Sequence, residues 1–298
     1  MTDAKLLTGC FTAIVTPFRP DGSFDEPAFR KLVDWQIAEG VNGLVPCGST
    51  GEAATMSLAE RVAVVRACVE QAAGRVPVIA GAGGSDTMVA IETSHAMAEA
   101  GATHLLHSSP AYSKPPQRGI IAHFRAVADA ARIPIVLYNV PGRTASNMEA
   151  ATTLALSEHP NIVAVKEASG NLQQVSEIVR ARPAHLAVLS GDDPLTLAVV
   201  AAGGHGIVSV VSNAAPRAMA QLTAAALSGD VAAARRLHLR LTPFFAAAFV
   251  ETNPLPIKAS LAMMGRIGNV LRLPLVPMDP AREPLLREAL AAAGALGQ

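Results

Sequence analysis

Short apolar runs recur along the chain, each followed by a turn and then by apolar positions at helical spacing. The runs are Cys10–Val15, Gly43–Cys47, Pro77–Gly81, His104–Ser108, Pro134–Tyr138, Ile162–Lys166, Leu186–Ser190 and Gly206–Val210, which makes eight candidate strands. The helical stretches between them carry recognisable ends. Asp25-Glu26-Pro27 opens the first, ahead of Phe29, Leu32, Val33 and Ile37, and Gly40 closes it. Ser57 has Glu60 three positions on, the spacing of a capping box. Gly74, Gly101 and Gly203 each fall after a helical pattern and before a strand. From about residue 213 only helical patterns remain, at Pro216–Leu227, Val231–Phe249, Pro256–Gly265 and Pro280–Ala293.

Eight strand-then-helix units with near-continuous apolar strands predict a parallel sheet covered by helices. Closing that sheet removes its two edges, so the predicted fold is an α/β protein, a (β/α)8 TIM barrel with a C-terminal helical appendage. The expected division is a catalytic barrel over residues 1–225 and a helical region packed on it over 226–298. A length of 298 residues suits one barrel of about 250 residues with such an addition.

Composition narrows the function. Half the residues are hydrophobic, 16% are charged and 4% are aromatic, so an aliphatic core is expected. Net charge is zero with no run of Lys or Arg, which argues against nucleic acid or anionic membrane as partner. Cys10, Cys47 and Cys68 are an odd set without metal or redox spacing, as expected of reduced thiols in a cytoplasmic protein. The first eight residues include Asp3 and Lys5 and lack an apolar signal region, and no run of about 18 apolar residues predicts a membrane span.

Barrel active sites form at the C-terminal ends of the strands, so polar residues there are the candidates. The sixth run ends in Lys166, one of five lysines; Lys5, Lys31 and Lys114 lie in polar or terminal surroundings. An amine desolvated among apolar neighbours has its pKa lowered, can condense with a ketone, and gives an imine that acts as an electron sink. The alternative is a strand-end lysine that reaches solvent or pairs with Glu167. Lys258 is the rival amine, in a Pro-flanked helical stretch outside the barrel. Tyr138 ends the fifth strand, and Tyr112, the only other tyrosine, lies just past the fourth. Phenols at those places suit proton transfer, or else pack at the rim. Arg143, in a Pro/Gly turn five residues past Tyr138, is placed to clamp a carboxylate or to form a surface ion pair. Gly48-Ser49-Thr50-Gly51-Glu52 follows the second strand, where free backbone N–H groups suit a small anion. It is neither a P-loop nor GxGxxG.

Other clusters read as structural. His104 and His107 sit three apart on a strand and face opposite sides. Asp192-Asp193 reads as a helix N-terminal cap, Ser85-Asp86-Thr87 after Gly81-Ala-Gly-Gly84 as turn and cap, and Gly203-Gly204-His205-Gly206 lies at the wrong end of the barrel for a phosphate.

From residue 9 to about 295 the chain resembles the dihydrodipicolinate synthase / N-acetylneuraminate lyase family of class I aldolases. The resemblance rests on Gly48-Ser-Thr-Gly-Glu52 with Glu60, Tyr138-Asn-Val-Pro-Gly-Arg-Thr144, Val165-Lys-Glu-Ala-Ser-Gly170, Ser190-Gly-Asp-Asp193 and Asn253-Pro-Leu-Pro. It implies that Lys166 forms a Schiff base with pyruvate, that Tyr138 shuttles protons, and that Thr50 and Tyr112 complete a relay, Tyr112 from a neighbouring subunit. It further implies that the Ser49 and Thr50 N–H groups hold the pyruvate carboxylate, that Val208 lines the substrate site, and that Arg143 receives the second substrate's carboxylate. A homotetramer built as a dimer of dimers, and no metal or organic cofactor, complete the expectation. The Asn-Val-Pro-x-Arg-Thr and Gly-Asp-Asp segments look like the synthase branch, which joins pyruvate to aspartate-4-semialdehyde, although Ser49 stands where synthases commonly carry threonine. Leu58, Arg61, Ser85, Val89 and Ala111 occupy the places that bind inhibitory lysine in regulated synthases, so weak or absent lysine inhibition is expected. The alternatives are a lyase for a sugar-derived 2-oxo acid on the same scaffold, and a non-catalytic metabolite-binding barrel.

Overall fold

Because side chains alternate along a strand, each apolar run feeds two cores at once. In the computed structural model, which describes residues 6–296, the parallel strands are β1 (Gly9–Thr12), β2 (Gly43–Leu44), β3 (Ile79–Gly81), β4 (His104–Ser108), β5 (Ile135–Asn139), β6 (Ile162–Glu167), β7 (Ala187–Ser190) and β8 (Gly206–Ser209). Phe11, Ile79, Leu106, Val136, Ala164 and Val208 point inward and fill the barrel. Their neighbours Cys10, Ala80, Leu105, Leu137, Val165 and Ile207 point outward and join the larger core beneath the helices. The strands run β2-β1-β8-β7-β6-β5-β4-β3 around the sheet, and a parallel bridge from Leu44 to Val78 closes the ring. The predicted TIM barrel is the fold observed. Lys5 lies outside the described residues.

The helices are α1 (Glu26–Ala38), α2 (Leu58–Ala72), α3 (Thr87–Glu99), α4 (Gln117–Ala130), the single turn α5 (Pro141–Thr144), α6 (Ala150–Ser157), α7 (Leu172–Ala181), α8 (Thr196–Ala201) and α9 (Pro216–Leu227). Their ends follow local chemistry. The Asp25 carboxylate accepts from the Ala28 N–H at the start of α1. At α2, Ser57 and Glu60 satisfy each other's backbone N–H groups, the reciprocal capping box.

The ladder of β2 is shorter than its apolar run. Pro46 has no N–H to donate, and Cys47 turns into the left-handed region at φ 56°, so the chain leaves the sheet early. Two glycines permit close approaches that any side chain would block. A Cβ on Gly206 (φ +143°) would lie 2.0 Å from the Gly9 carbonyl oxygen, where β8 meets β1, and one on Gly81 would lie 1.9 Å from the Cys47 carbonyl oxygen.

After the barrel come α10 (Val231–Ala247), α11 (Leu255–Met263) and α12 (Glu283–Ala293). Helix α9 runs through residue 225 and ends at Leu227, and α10 packs against both α9 and α12. The connection from α10 to α11 returns to the strand C-terminal side, bringing Asn253 to Thr50. Among the described residues no helix is long and apolar enough to cross a membrane.

Candidate active site

Strand register decides which side chains share the barrel mouth. Tyr138 on β5 is the direct partner of Lys166 on β6, and both follow inward-facing residues, Val136 and Ala164, by two positions. Lys166 Nζ consequently lies over the Tyr138 ring, 4.1 Å from its centroid. Lys166 is 5% exposed, and among the described residues its amine has no hydrogen-bond or ion-pair partner. Glu167 does not pair with it. One position on, Glu167 faces outward and its carboxylate accepts from Asn139 Nδ2 (3.1 Å), Gln174 Nε2 (2.9 Å) and the Ser169 N–H (2.7 Å). Gly191, beyond β7, leaves room above the amine's stem: a Cβ there would lie 3.1 Å from Lys166 Cε.

The turn after β2 presents the N–H groups that the sequence suggested. Gly51 and Glu52 donate back to Gly48 and Ser49, which tightens the turn, while the Ser49 and Thr50 N–H groups have no partner among the described residues. No long helix starts there; only a 3-10 turn, Ala53–Thr55, follows. Thr50 is buried and its hydroxyl accepts from Asn253 Nδ2 at 2.9 Å. The expected relay is not joined within the chain, since no hydrogen bond links Thr50 to Tyr138. Tyr112 is 96% exposed with φ +70° and has no hydrogen bond to Lys166 or Tyr138.

Arg143 lies in α5, exposed, with Nη2 donating to the Asn253 carbonyl at 3.3 Å and no carboxylate partner among the described residues. Asn253 therefore touches both Thr50 and Arg143, and its Oδ1 is buried without a partner. Sequence reading singled it out only within a motif, because nothing local announces a contact across 203 positions. Val208 is fully buried inside the barrel beside its register partner Phe11 on β1, one residue before β8 ends.

A cavity of about 230 Å³ opens beside this cluster, lined by Ser49, Tyr138, Ser108, Leu106, Cys47 and Arg61 among others. It lies toward α2 rather than over Lys166. Arg61 donates to the Gly81 carbonyl at 2.9 Å, and no acid lines the cavity with it.

Asp193 is not a cap for its own turn: its carboxylate accepts from Ser209 Oγ (2.5 Å) and from the Val210 and Val211 N–H groups after β8. Burial pushes its carboxyl up to about 6, against those hydrogen bonds and the nearby Lys166. Asp192 likewise makes no side-chain cap bond, whereas Asp86 does cap α3 through the Val89 N–H. Lys258, expected only to lie outside the barrel, is fully buried and ion-paired with Glu52. His107 bonds to Ser94 and His104 to Thr103, and burial holds both imidazoles well below the ordinary histidine range. Among the described residues no group of three or more His, Cys, Asp or Glu side chains is placed to hold a metal ion. All three cysteines are free and buried, and burial pushes the Cys47 thiol up to about 12.

Comparison with known proteins adds the following. The model of the dihydrodipicolinate synthetase family matches residues 6–293. A 4-hydroxy-tetrahydrodipicolinate synthase of Nitratidesulfovibrio vulgaris is 50% identical over 97% of this chain and 99% of its own. A dihydrodipicolinate synthase of Acinetobacter baumannii, solved with pyruvate, superposes with a TM-score of 0.95 at 39% identity, covering 97% of this chain and 99% of that one. One from Cyanidioschyzon merolae, solved with lysine bound, gives 0.94 at 42% identity over 98% and 100%.

Proposed function

The chain belongs to the dihydrodipicolinate synthetase family, and on that premise we propose that it condenses pyruvate with aspartate-4-semialdehyde through a Schiff base on Lys166. This is the 4-hydroxy-tetrahydrodipicolinate synthase reaction, a class I, lyase-type step toward diaminopimelate and lysine. The observation that carries the mechanism is the register pairing of Tyr138 with an unpartnered Lys166 amine at the barrel mouth.

Lys166 attacks the pyruvate carbonyl, and loss of water from the carbinolamine leaves an imine. Tyr138, over which the amine sits, moves the protons of that step, with Thr50 and a neighbouring subunit's Tyr112 as relay. The protonated imine acidifies the pyruvate methyl, Tyr138 takes the proton it releases, and the resulting enamine attacks the aldehyde carbon. The aldehyde substrate's own amine then displaces Lys166 by closing the ring. The imine is itself the electron sink, so the reaction needs neither metal nor organic cofactor. Ser49 and Thr50 N–H groups hold the pyruvate carboxylate, Val208 backs the pocket from below, and Arg143 takes the second carboxylate. The described residues up to the end of α9 at Leu227 form the catalytic barrel, and the helices after it pack on that barrel. A cytoplasmic homotetramer, a dimer of dimers, suits the exposed Tyr112.

Side-by-side assays separate this reading from a lyase for sugar-derived 2-oxo acids. Condensation with aspartate-4-semialdehyde is expected to exceed cleavage of every sugar-derived 2-oxo acid tried. Faster cleavage of any of them would transfer the assignment to that substrate.

Lysine is expected not to inhibit. Arg61 stands where the resemblance places a lysine-binding residue and brings a positive charge that opposes an ammonium. Ser85 already exchanges hydrogen bonds with Ala111, and Leu58 and Val89 offer no polar atom. A titration of activity with lysine into the millimolar range should stay flat; a saturable decline there contradicts the reading.

A further inference from the structure

The turn that carries Ser49 and Thr50 is held in an unfavourable shape. Cys47 (φ 56°) and Glu52 (φ 55°) both occupy the left-handed region, which disfavours residues that have a Cβ. Such a conformation persists only where the surroundings over-determine it. Here they do. Thr16 Oγ1 donates to the Gly51 carbonyl at 2.8 Å, Asn253 Nδ2 reaches Thr50 Oγ1, and the Glu52 carboxylate is ion-paired with Lys258 Nζ and accepts from the Arg272 N–H at 3.2 Å. Lys258 is in turn fixed by donating to the Val270 carbonyl at 2.8 Å and by lying 4.3 Å from the centroid of Phe18.

The Glu52–Lys258 pair is completely buried. Replacing a buried ion pair by neutral groups of similar shape is often neutral or stabilising, so net stability is a poor reason for its presence. What the pair does have is geometry: it grips the last residue of the turn from α11, outside the barrel. We propose that Glu52 and Lys258 are positioning residues for the pyruvate-carboxylate site, fixing the direction in which the Ser49 and Thr50 N–H groups point. This rests on the reading of that turn as the carboxylate cradle. Neither residue touches the reacting atoms; each acts through the turn.

The test is the double variant Glu52→Gln with Lys258→Met, which removes both charges and leaves neither partner buried alone. Thermal unfolding checks the fold, and the pyruvate KM and the kcat at saturating pyruvate are measured with the full chain. The expected result is a folded enzyme whose pyruvate KM rises about tenfold or more, with kcat changed about threefold or less. Should the double variant not accumulate, Glu52→Gln alone keeps the side chain's size and its acceptor for Arg272, and is expected to raise KM in the same direction. An unchanged pyruvate KM in whichever variant folds would overturn the proposal, as would a fall in kcat with KM unmoved. Failure of the underlying mechanism shows elsewhere: borohydride with pyruvate would then leave Lys166 of the unaltered protein unmodified.

Discussion

Replacement of Lys166 by methionine is expected to abolish turnover while leaving the barrel folded. Methionine nearly matches the length of the lysine stem, and the amine it removes has no hydrogen bond or ion pair within the described residues to lose. Fold stability should therefore stay within about 1 kcal/mol of the parent. Activity should fall by on the order of 10⁴-fold or more, because no other group can supply the covalent electron sink. Lys258 is no substitute, being sealed against Glu52. Borohydride reduction with pyruvate, followed by peptide mass spectrometry, should place the adduct on Lys166 in the parent and nowhere in the variant. A variant that retains turnover, or a parent labelled at another lysine, would refute the Schiff-base mechanism.

Arg143→Ala is expected to separate the two substrates. The guanidinium is exposed, and its hydrogen bond to the protein runs to the Asn253 carbonyl. Losing it should cost less than about 1 kcal/mol of stability. In the proposed reaction it forms a charge-assisted, bidentate pair with the carboxylate of the aldehyde. Removing that pair should lower kcat/KM for aspartate-4-semialdehyde by about 10²- to 10³-fold, while the rate of pyruvate trapping on Lys166 changes by about twofold or less. Steady-state kinetics in the aldehyde and single-turnover trapping with pyruvate make the comparison. Equal loss in both would mean that Arg143 serves the pyruvate carboxylate instead.

The barrel was legible because its signals are local and repeated. Each strand is an apolar run, α1, α2, α3, α7 and α10 open on side-chain caps, and the eightfold alternation leaves few ways to fold. The place of Lys166 and Tyr138 at the barrel mouth was legible for the same reason, since each follows an inward-facing apolar residue by two positions near the end of its strand. Their direct pairing was not, since register depends on how neighbouring strands slide. Asp193 was misread as a local cap because adjacency in sequence suggested one, while its actual partners come from the next strand. Asn253 and Lys258 reach the turn after β2 across some 200 residues, and Arg272 across 220. Contacts of that kind leave no periodicity behind, so they emerge only once the chain is folded.

Adjacent residues on β6 divide their labour by parity, Lys166 on the even face and Glu167 on the odd one. A slip of one residue would exchange an amine for a carboxylate at the barrel mouth. The hydrogen bonds from Asn139, Gln174 and the Ser169 N–H to Glu167 act against that slip, since a displaced Glu167 would abandon all of them together. The buried carboxylate behind the strand thus works as a key in a lock, holding the phase that leaves the Lys166 amine at the barrel mouth.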